Sequence, residues 1–454
     1  MPRPHIAIAK ACHVRYHYLV KIIGVFGQQR GDEGKGRVVD LLARDSDIVA
    51  RFNGGSNAGH TVVLPDGRDL ALHIVPSGIA HDHVVNIIGN GAIVDPVRFA
   101  QEVASIEALD ITVSPEKLKV SLSAHLVLPH YKYLEEIREM GRGAQGSTKA
   151  GIADTYAAKA QRAGVRVEQV LGDHTALLAV AQEGLESVAP LRKEAGLLPV
   201  DVAHDIAEFA MALKILQPFA ADTSVYLNQR LADGAKLLAE GAQAFLLDID
   251  HGMYPFVTSS STTAGGVASG LGIAPSTLDR SVGVVKAVQS HVGGGPFVTE
   301  IFDKPLLKAL HGDMSTIDAE KGTTTGRVRR LGYLDIPGIR RANMVNGTTE
   351  LAITKLDWVP RYGKRIKVCT AYTYRGDRLE MAPDSAWALE KCQPIYEELE
   401  SWDEDITKVR EYTDLPATAQ RYIDTIESLT GLPVTYIGVG PRRDQVIVRG
   451  KISK

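Results

Sequence analysis

An α/β fold, with a mostly parallel central sheet flanked by helices, is predicted by three observations. Short apolar runs at 22–26, 48–52, 84–88, 119–122 and 245–249 are bounded by Gly, Pro or Asp, with helical stretches between them. The runs at 22–26 and 48–52 both end in polar glycine-rich loops of the same chemical type. Such loops line one crevice at the carboxyl edge of an open parallel sheet. Finally, 454 residues, 44% hydrophobic and 23% charged, supply a large core in one large domain or two to three smaller ones.

The first 21 residues carry Arg3, Lys10, Arg15 and Lys21, three histidines and no acid. A transit peptide has this charge pattern, but serine and a cleavage region are missing, so the segment is read as a short extension or an upstream start. Residues 22–450 are expected to form a single large domain. It opens with a buried strand at 22–26, a glycine turn and a helix that begins near Lys35. Runs at 62–64 and 70–75 flank Pro65-Asp66-Gly67, strong turn chemistry, and predict a hairpin. A helical insertion is expected at about 167–239, where Ile206, Phe209, Ala210, Leu213 and Leu216 recur at three- and four-residue spacing. Near the end, Tyr422, Ile423, Ile426 and Leu429 form an apolar helix face that stops at Gly431. A strand at 434–439 and a hairpin partner at 445–449 follow.

Composition excludes several classes. A net charge of −3 argues against general binding of nucleic acid or a membrane surface. No apolar run approaches the roughly 20 residues that span a bilayer. Cys12, Cys369 and Cys392 are too few and too scattered for a disulfide framework or a zinc site, which fits a reducing, cytoplasmic setting. Asn346-Gly347-Thr348 matches a glycosylation sequon, but nothing else points to secretion.

Chemistry concentrates in the loops. Residues 24–37 form a glycine-rich turn behind an apolar strand, where backbone N–H groups, a helix start and Lys35 can meet phosphate oxygens. The pattern G-x-x-x-x-G-K-[ST] fails at both ends, with Gln29 for the first glycine and Gly36 for the hydroxyl. Asp32 and Glu33 are unexpected in a loop built only for a triphosphate, and suggest metal binding or proton transfer in the same place. The second loop reads Asn53-Gly54-Gly55-Ser56-Asn57-Ala58-Gly59-His60-Thr61. Residues 241–266 are dense in hydroxyls and glycines, as anion contacts or a serine-rich surface loop would be. Residues 322–330 set three threonines beside three arginines; guanidinium forks there suit an acidic substrate, a solvated basic loop being the alternative. Thr354-Lys355-Leu356-Asp357 ends a strand where an aspartate can accept from guanine N1–H and its exocyclic amine.

Together these segments closely resemble the adenylosuccinate synthetases, from about residue 22 to 448. The most specific stretches are 31–36, 57–61, 246–252, 257–267 and 324–327. The resemblance implies a P-loop-NTPase-like nucleotide-binding architecture with helical and small antiparallel subregions. It implies GTP-dependent ligation of L-aspartate to IMP through a 6-phosphoryl intermediate. By resemblance Asp32 is the base for N1 of IMP, His60 the acid at the transferring phosphoryl group, and Gln243 a holder of the 6-oxygen. Mg2+ would be held by Asp32 and the Gly59 carbonyl. GTP would meet Gly31, Asp32, Glu33, Gly34, Lys35, Gly36, Arg37, Gly59, His60, Thr61, Arg329, Lys355, Leu356, Asp357, Gly438, Val439 and Gly440. IMP would meet Asp32, Lys35, Asn57, Ala58, Gly59, His60, Thr148, Gln243, Thr258 and Arg327, with Arg162 reaching across a homodimer. Aspartate would meet Thr323, Thr324, Thr325, Gly326, Arg327 and Arg329.

The chain departs from the family at Arg30, where tryptophan is usual, at Ser56 for histidine, at Lys149-Ala150 for glycine-arginine, and at Gly438 for serine. These changes cluster around the two nucleotides and bear on purine preference. Two alternatives remain at this stage: a related synthetase using a guanine (deoxy)nucleotide in place of IMP, and a GTP-binding switch that does not ligate. Retention of Asp32 favours IMP over the first; His60 and the arginine-threonine loop go unexplained by the second.

Overall fold

The computed structural model describes residues 22–450 except 142, 143, 145, 276, 277, 317, 318 and 322–325. Residues 1–21, and with them the expected extension, lie outside the described residues. At the centre is a ten-stranded sheet. From edge to edge its strands are Val446–Val448, Val434–Gly438, Glu350–Thr354, Leu278–Lys286, β1 (Ile22–Gly27), Leu237–Glu240, β2 (Ile48–Arg51), Val85–Ile88, Leu118–Ser121 and Ala220–Ala221. Neighbours run parallel except at the first edge, where Val434–Gly438 and Val446–Val448 are antiparallel.

Strands buried on both faces need apolar residues throughout, which is why β1 and β2 read as continuous runs rather than alternations. One face of β1 packs Val25 against Val38, Val39 and Leu42 of the helix α1 (Lys35–Ala43). The other packs Phe26 with Ile48, Phe52, Leu237 and Val267. Each such side chain contributes about 1.5–3 kcal/mol by leaving water. Parallel strands all present their carboxyl ends on one side, so the loops after β1, β2, Leu237–Glu240, Leu278–Lys286, Glu350–Thr354 and Val434–Gly438 emerge together. Register places Val25, Glu240 and Arg51 in one row at that edge.

Two sequence expectations change. The helices Thr175–Glu194, Val202–Leu216 and Thr223–Ala232 occupy the stretch expected at 167–239, but Leu237–Glu240 is a strand between β1 and β2. Three apolar residues and an acid shortly after a helix carry no period that separates a buried strand from more helix. The run at 245–249 is not a strand: Phe245–Leu247 is a single 3-10 turn, and Leu246 N donates to Gln29 O at 3.0 Å.

The expected hairpin is present as His60–Val63 paired with Asp69–Leu72. Further small antiparallel pairings join Gln289–His291 to Arg330–Gly332, and Arg365–Tyr374 to Asp377–Leu379 and Gln393–Glu400. The helix Ala417–Thr430 ends at Gly431, whose φ of 72° caps it in the left-handed conformation. Among the described residues no helix is long and apolar enough to cross a membrane.

Candidate active site

The turn after β1 bends sharply. Gly31, Asp32 and Gly34 take φ of 91°, 59° and 85°, values that glycine adopts without penalty and aspartate tolerates better than most residues. Helix α1 then starts without a side-chain cap or an acid in its first turn. Its first N–H groups and dipole are left for an anion.

The two acids of this turn face opposite ways. Glu33 is fully buried, accepting from Gly31 N and from Lys35 Nζ, both at 2.8 Å. It braces the loop and is not among the residues lining the cavity. Lys35, 3% exposed, is therefore held rather than mobile, although it does line the cavity. Asp32 is 31% exposed, lines the cavity, and has Oδ2 at 2.7 Å from Arg329 Nε. A β-carbon added to Gly36 would lie 2.8 Å from His60 Cβ and 3.4 Å from Ser77 Oγ. The hydroxyl of the usual phosphate-loop pattern is thus excluded by the histidine that follows β2.

His60 depends on a partner that no motif indicated. Its Nδ1 lies 2.5 Å from Oε1 of Glu240, whose other contacts are Ser77 Oγ and Ser77 N, each at 2.8 Å. Arg51 Nη1 approaches the same carboxylate to 3.8 Å. Burial opposes the charge on Glu240, yet the His60 hydrogen bond, His60 and Arg51 charges and Ser77 N–H hold it down to about 2. For His60 itself burial outweighs the raising effect of Glu240, so its pKa is lowered. With Nδ1 committed to Glu240, Nε2 is the nitrogen left to meet a ligand in the cavity.

The cavity has a volume of about 290 Å³. Of the predicted residues it brings together Gly31, Asp32, Gly34, Lys35, Gly36, Asn57, Ala58, Gly59, His60, Thr61, Thr148, Gln243, Thr258 and Arg327. Gln243 sits at φ 56° and donates from Nε2 to Asn57 Oδ1 at 3.1 Å, while its buried Oε1 has no hydrogen-bond partner among the described residues. A carbonyl left so costs about 1–3 kcal/mol unless a ligand or water supplies a donor. Arg327 lies against Gly146, where a β-carbon would be 3.1 Å from Nη1, so it stands beside the segment that carries Thr148. Sequence reasoning missed Glu240, Ser77 and Arg51 behind His60. It also missed the wall formed by Phe256 and the His291–Gly294 segment.

The proposed guanine residues lie off the cavity, on the adjoining strand ends. Thr354 Oγ1 donates to Glu33 O at 2.6 Å, which sets Lys355, Leu356 and Asp357 directly beside the glycine turn. Lys355 stacks 3.8 Å from the Trp358 ring centre, Leu356 is buried and Asp357 half-buried. Arg37 donates to Arg442 O and Gln445 O at 2.8 and 2.6 Å, tying α1 to the turn that contains Gly438, Val439 and Gly440. Arg162 ends the helix Ile152–Gln161 at φ 64°, is exposed, and does not line the cavity of its own chain. Gly326 is exposed; Thr323, Thr324 and Thr325 lie outside the described residues.

Arg30 is buried at 3% exposure, with Nη1 at 2.8 Å from Met253 Sδ and its guanidinium 4.5 Å above the Phe297 ring. Burial lowers its pKa to about 10. Of the other departures, Ser56 is buried with no hydroxyl partner among the described residues, and Gly438 abuts Arg37 Nη1. Lys149 takes φ 56°.

No group of three or more His, Cys, Asp or Glu side chains that could cage a metal occurs among the described residues. Mg2+ does not need one, because it binds through one or two carboxylates together with waters and substrate phosphates. One partly exposed carboxylate, Asp32, which lines the same cavity as Gly59, fits that donor set.

A family model described as adenylosuccinate synthetase matches residues 24–447. The chain is 44% identical over 434 residues to the adenylosuccinate synthetase of Halothermothrix orenii, covering 94% of this chain and 98% of that protein. It is 45% identical over 424 residues to that of Moorella thermoacetica, covering 93% and 97%. Among solved structures, fully ligated adenylosuccinate synthetase from Plasmodium falciparum superposes with a TM-score of 0.84 at 35% identity, covering 94% and 99%. A cyanophage S-2L succinoaminodeoxyadenylate synthetase bound to dGMP and dATP reaches a TM-score of 0.56 at 20% identity, covering 95% and 96%, a likeness of fold alone.

Proposed function

The chain belongs to the adenylosuccinate synthetase family, C–N bond-forming ligases of purine biosynthesis, and from that premise we propose that GTP, IMP and L-aspartate meet in the cavity at the carboxyl edge of its sheet. The observation that carries the assignment of residues is convergence. A carboxylate on a left-handed turn, Asp32, a histidine braced by a buried carboxylate, His60, and an orphaned amide, Gln243, line one cavity with Arg327.

In this reading the N–H groups at the start of α1 and Lys35 take the nucleotide phosphates. Asp32 accepts the N1 proton of IMP, and the 6-oxygen attacks the γ-phosphorus of GTP as GDP leaves. The aspartate amine then adds at C6, the C6–O bond breaks with the oxygen leaving on phosphate, and the amine gives up one proton. A polyanion beside His60 favours the imidazolium, which Glu240 supports through Nδ1–H, so Nε2–H can donate to the phosphoryl oxygens. Asp32 and the Gly59 carbonyl would hold Mg2+, which supplies charge neutralisation at the phosphates. Arg327, beside Thr148, and Thr258 serve IMP. Thr323 to Arg329 serve aspartate. Lys355 to Asp357 and Gly438 to Gly440 serve guanine. Arg162, exposed and not lining its own cavity, serves the IMP phosphate of a partner subunit in a homodimer.

Incubating the protein with IMP, GTP, Mg2+ and aspartate, and following the succinyl-purine absorbance, tests this. Product with IMP and none with dGMP is the expected result. GTP hydrolysis without aspartate consumption would point to a switch, and product only with a guanine monophosphate would reassign the purine. For the guanine pair, Asp357→Asn should raise KM for GTP about tenfold; unchanged GTP kinetics would remove Asp357 from the site.

A further inference from the structure

Outside the cavity wall, one carboxylate is surrounded by three cations. Glu320 is fully buried; its Oε2 accepts from Lys286 Nζ at 2.5 Å and from Arg329 Nη1 at 3.0 Å, and its Oε1 from Lys355 Nζ at 2.6 Å. These cations come from three places. Lys286 ends the strand Leu278–Lys286 and also donates to Ser290 Oγ at 2.7 Å. Lys355 follows Thr354, the end of the adjacent strand. Arg329 stands on the returning arm of Glu320's own loop: Arg329 N donates to Glu320 O at 3.0 Å, and Lys321 bridges Val328. From there Arg329 Nε reaches Asp32 Oδ2 at 2.7 Å.

Burying a carboxylate costs several kcal/mol, which one well-placed cation can offset. Burial acts to raise the Glu320 carboxyl, and Lys286, Lys355 and Arg329 together bring it well below the usual carboxylate range. A purely structural ion pair would need one of them. Three, drawn from the proposed guanine side, the proposed aspartate side and the core strand between them, make the carboxylate a shared resource. A base that engages Lys355 changes how Glu320 divides between Lys286 and Arg329, and so how firmly Arg329 holds Asp32.

We propose that Glu320 is the positioning residue that couples guanine binding to aspartate binding. The inference rests on the placement of Lys355 and Arg329 given under Proposed function. Glu320 does not line the cavity and is fully buried, so it acts through its three cations. Coupling of this kind is reciprocal: whatever factor guanine nucleotide applies to aspartate affinity, aspartate applies to nucleotide affinity.

Calorimetric titration of the full chain, with IMP and Mg2+ present, measures L-aspartate affinity with and without GDP, and GDP affinity with and without aspartate. The wild type should show one common factor of about 5- to 150-fold. In Glu320→Gln that factor should fall to within about twofold of one. Burial holds Lys286 at about 7, so it can shed its charge when its partner is neutralised, and the variant should fold. Should it not, Glu320→Asp keeps the charge while withdrawing it by about 1.5 Å, and should give an intermediate factor. A third arm needs no variant: inorganic pyrophosphate in place of GDP has phosphates and no base, and should leave aspartate affinity within about twofold. The proposal is overturned by a wild type without coupling, by a factor unchanged in either variant, or by pyrophosphate coupling as strongly as GDP. If the wild type fails to ligate aspartate to IMP, the placement of the ligands falls instead.

Discussion

Two histidine–carboxylate pairs flank the 3-10 turn Ser77–Ala80, and only the first puts its ring on the cavity. In the first, His60 Nδ1 meets Glu240, whose nearest guanidinium stays 3.8 Å away. In the second, His81 Nε2 meets Asp40 Oδ1 at 2.9 Å, while Arg443 forks onto the same carboxylate, with Nε to Oδ2 at 2.6 Å, and also contacts His81 Nε2 at 2.9 Å. Asp40 is thereby saturated, its carboxyl brought below its ordinary value by Arg443 and His81 against the effect of burial. The second pair ties α1 to the chain after Gly440 and lies off the cavity. The first engages Nδ1 and leaves Nε2 of a ring that lines the cavity. Both pairs join a histidine to an acid; what differs is that a guanidinium forks onto the second carboxylate and that only the first ring lines the cavity.

The sharpest way to break this contrast is to remove each ring. His60→Asn should lower kcat about 10²- to 10⁴-fold while the melting temperature stays near wild type. His81→Asn should cost about 1 kcal/mol in denaturant unfolding, with kcat little changed. Equal losses of kcat would erase the distinction. Next in size, Gly36→Ser restores the usual phosphate-loop hydroxyl into the 2.8 Å gap before His60 and should lower kcat on the order of 100-fold by displacing the ring. Wild-type turnover in the Gly36→Ser variant would show that His60 tolerates the shift and is not the acid.

Glu240→Gln should lower kcat about 10- to 100-fold, the usual cost of removing a carboxylate that orients a functional histidine. Its direction with pH is defined. Glu240 raises the His60 pKa, so the variant should lose activity at lower pH than the wild type as pH rises. A profile that does not move would separate Glu240 from His60 in function. The smallest effect is on stability. Because the folded carboxyl is lowered from 4.5 to about 2, its contribution is present above 4.5 and is lost as pH falls towards 2. That interval corresponds to about 3 kcal/mol, so acid unfolding curves of wild type and Glu240→Gln should converge at its lower end.

Much of this was legible from one chain. Glycines that adopt positive φ, the Pro-Asp-Gly turn, and apolar runs ending in polar loops are local signals, and they led to the α/β class, the hairpin and the two loops that carry Asp32 and His60. Glu240 was not legible, because an acid after Leu237-Leu238-Ala239 has no periodicity to mark it, and the expected helical stretch covered the strand up to residue 239. Glu320 was equally silent, being one charge in a polar stretch. The adjacent acids Asp32 and Glu33 looked equivalent; the turn sends one to the cavity and the other inward to Lys35.

By itself the sequence determined the class of fold, the family and the glycine-rich turn behind β1, since these depend on residue type and short spacing. Tertiary structure alone decided which acid braces the turn and which faces the cavity, which histidine lines it, and why a side chain at position 36 would meet His60. Those outcomes depend on distances between strands far apart in the chain. A carboxylate's role is set by which cations and N–H groups saturate it, and register at the sheet edge selects those partners.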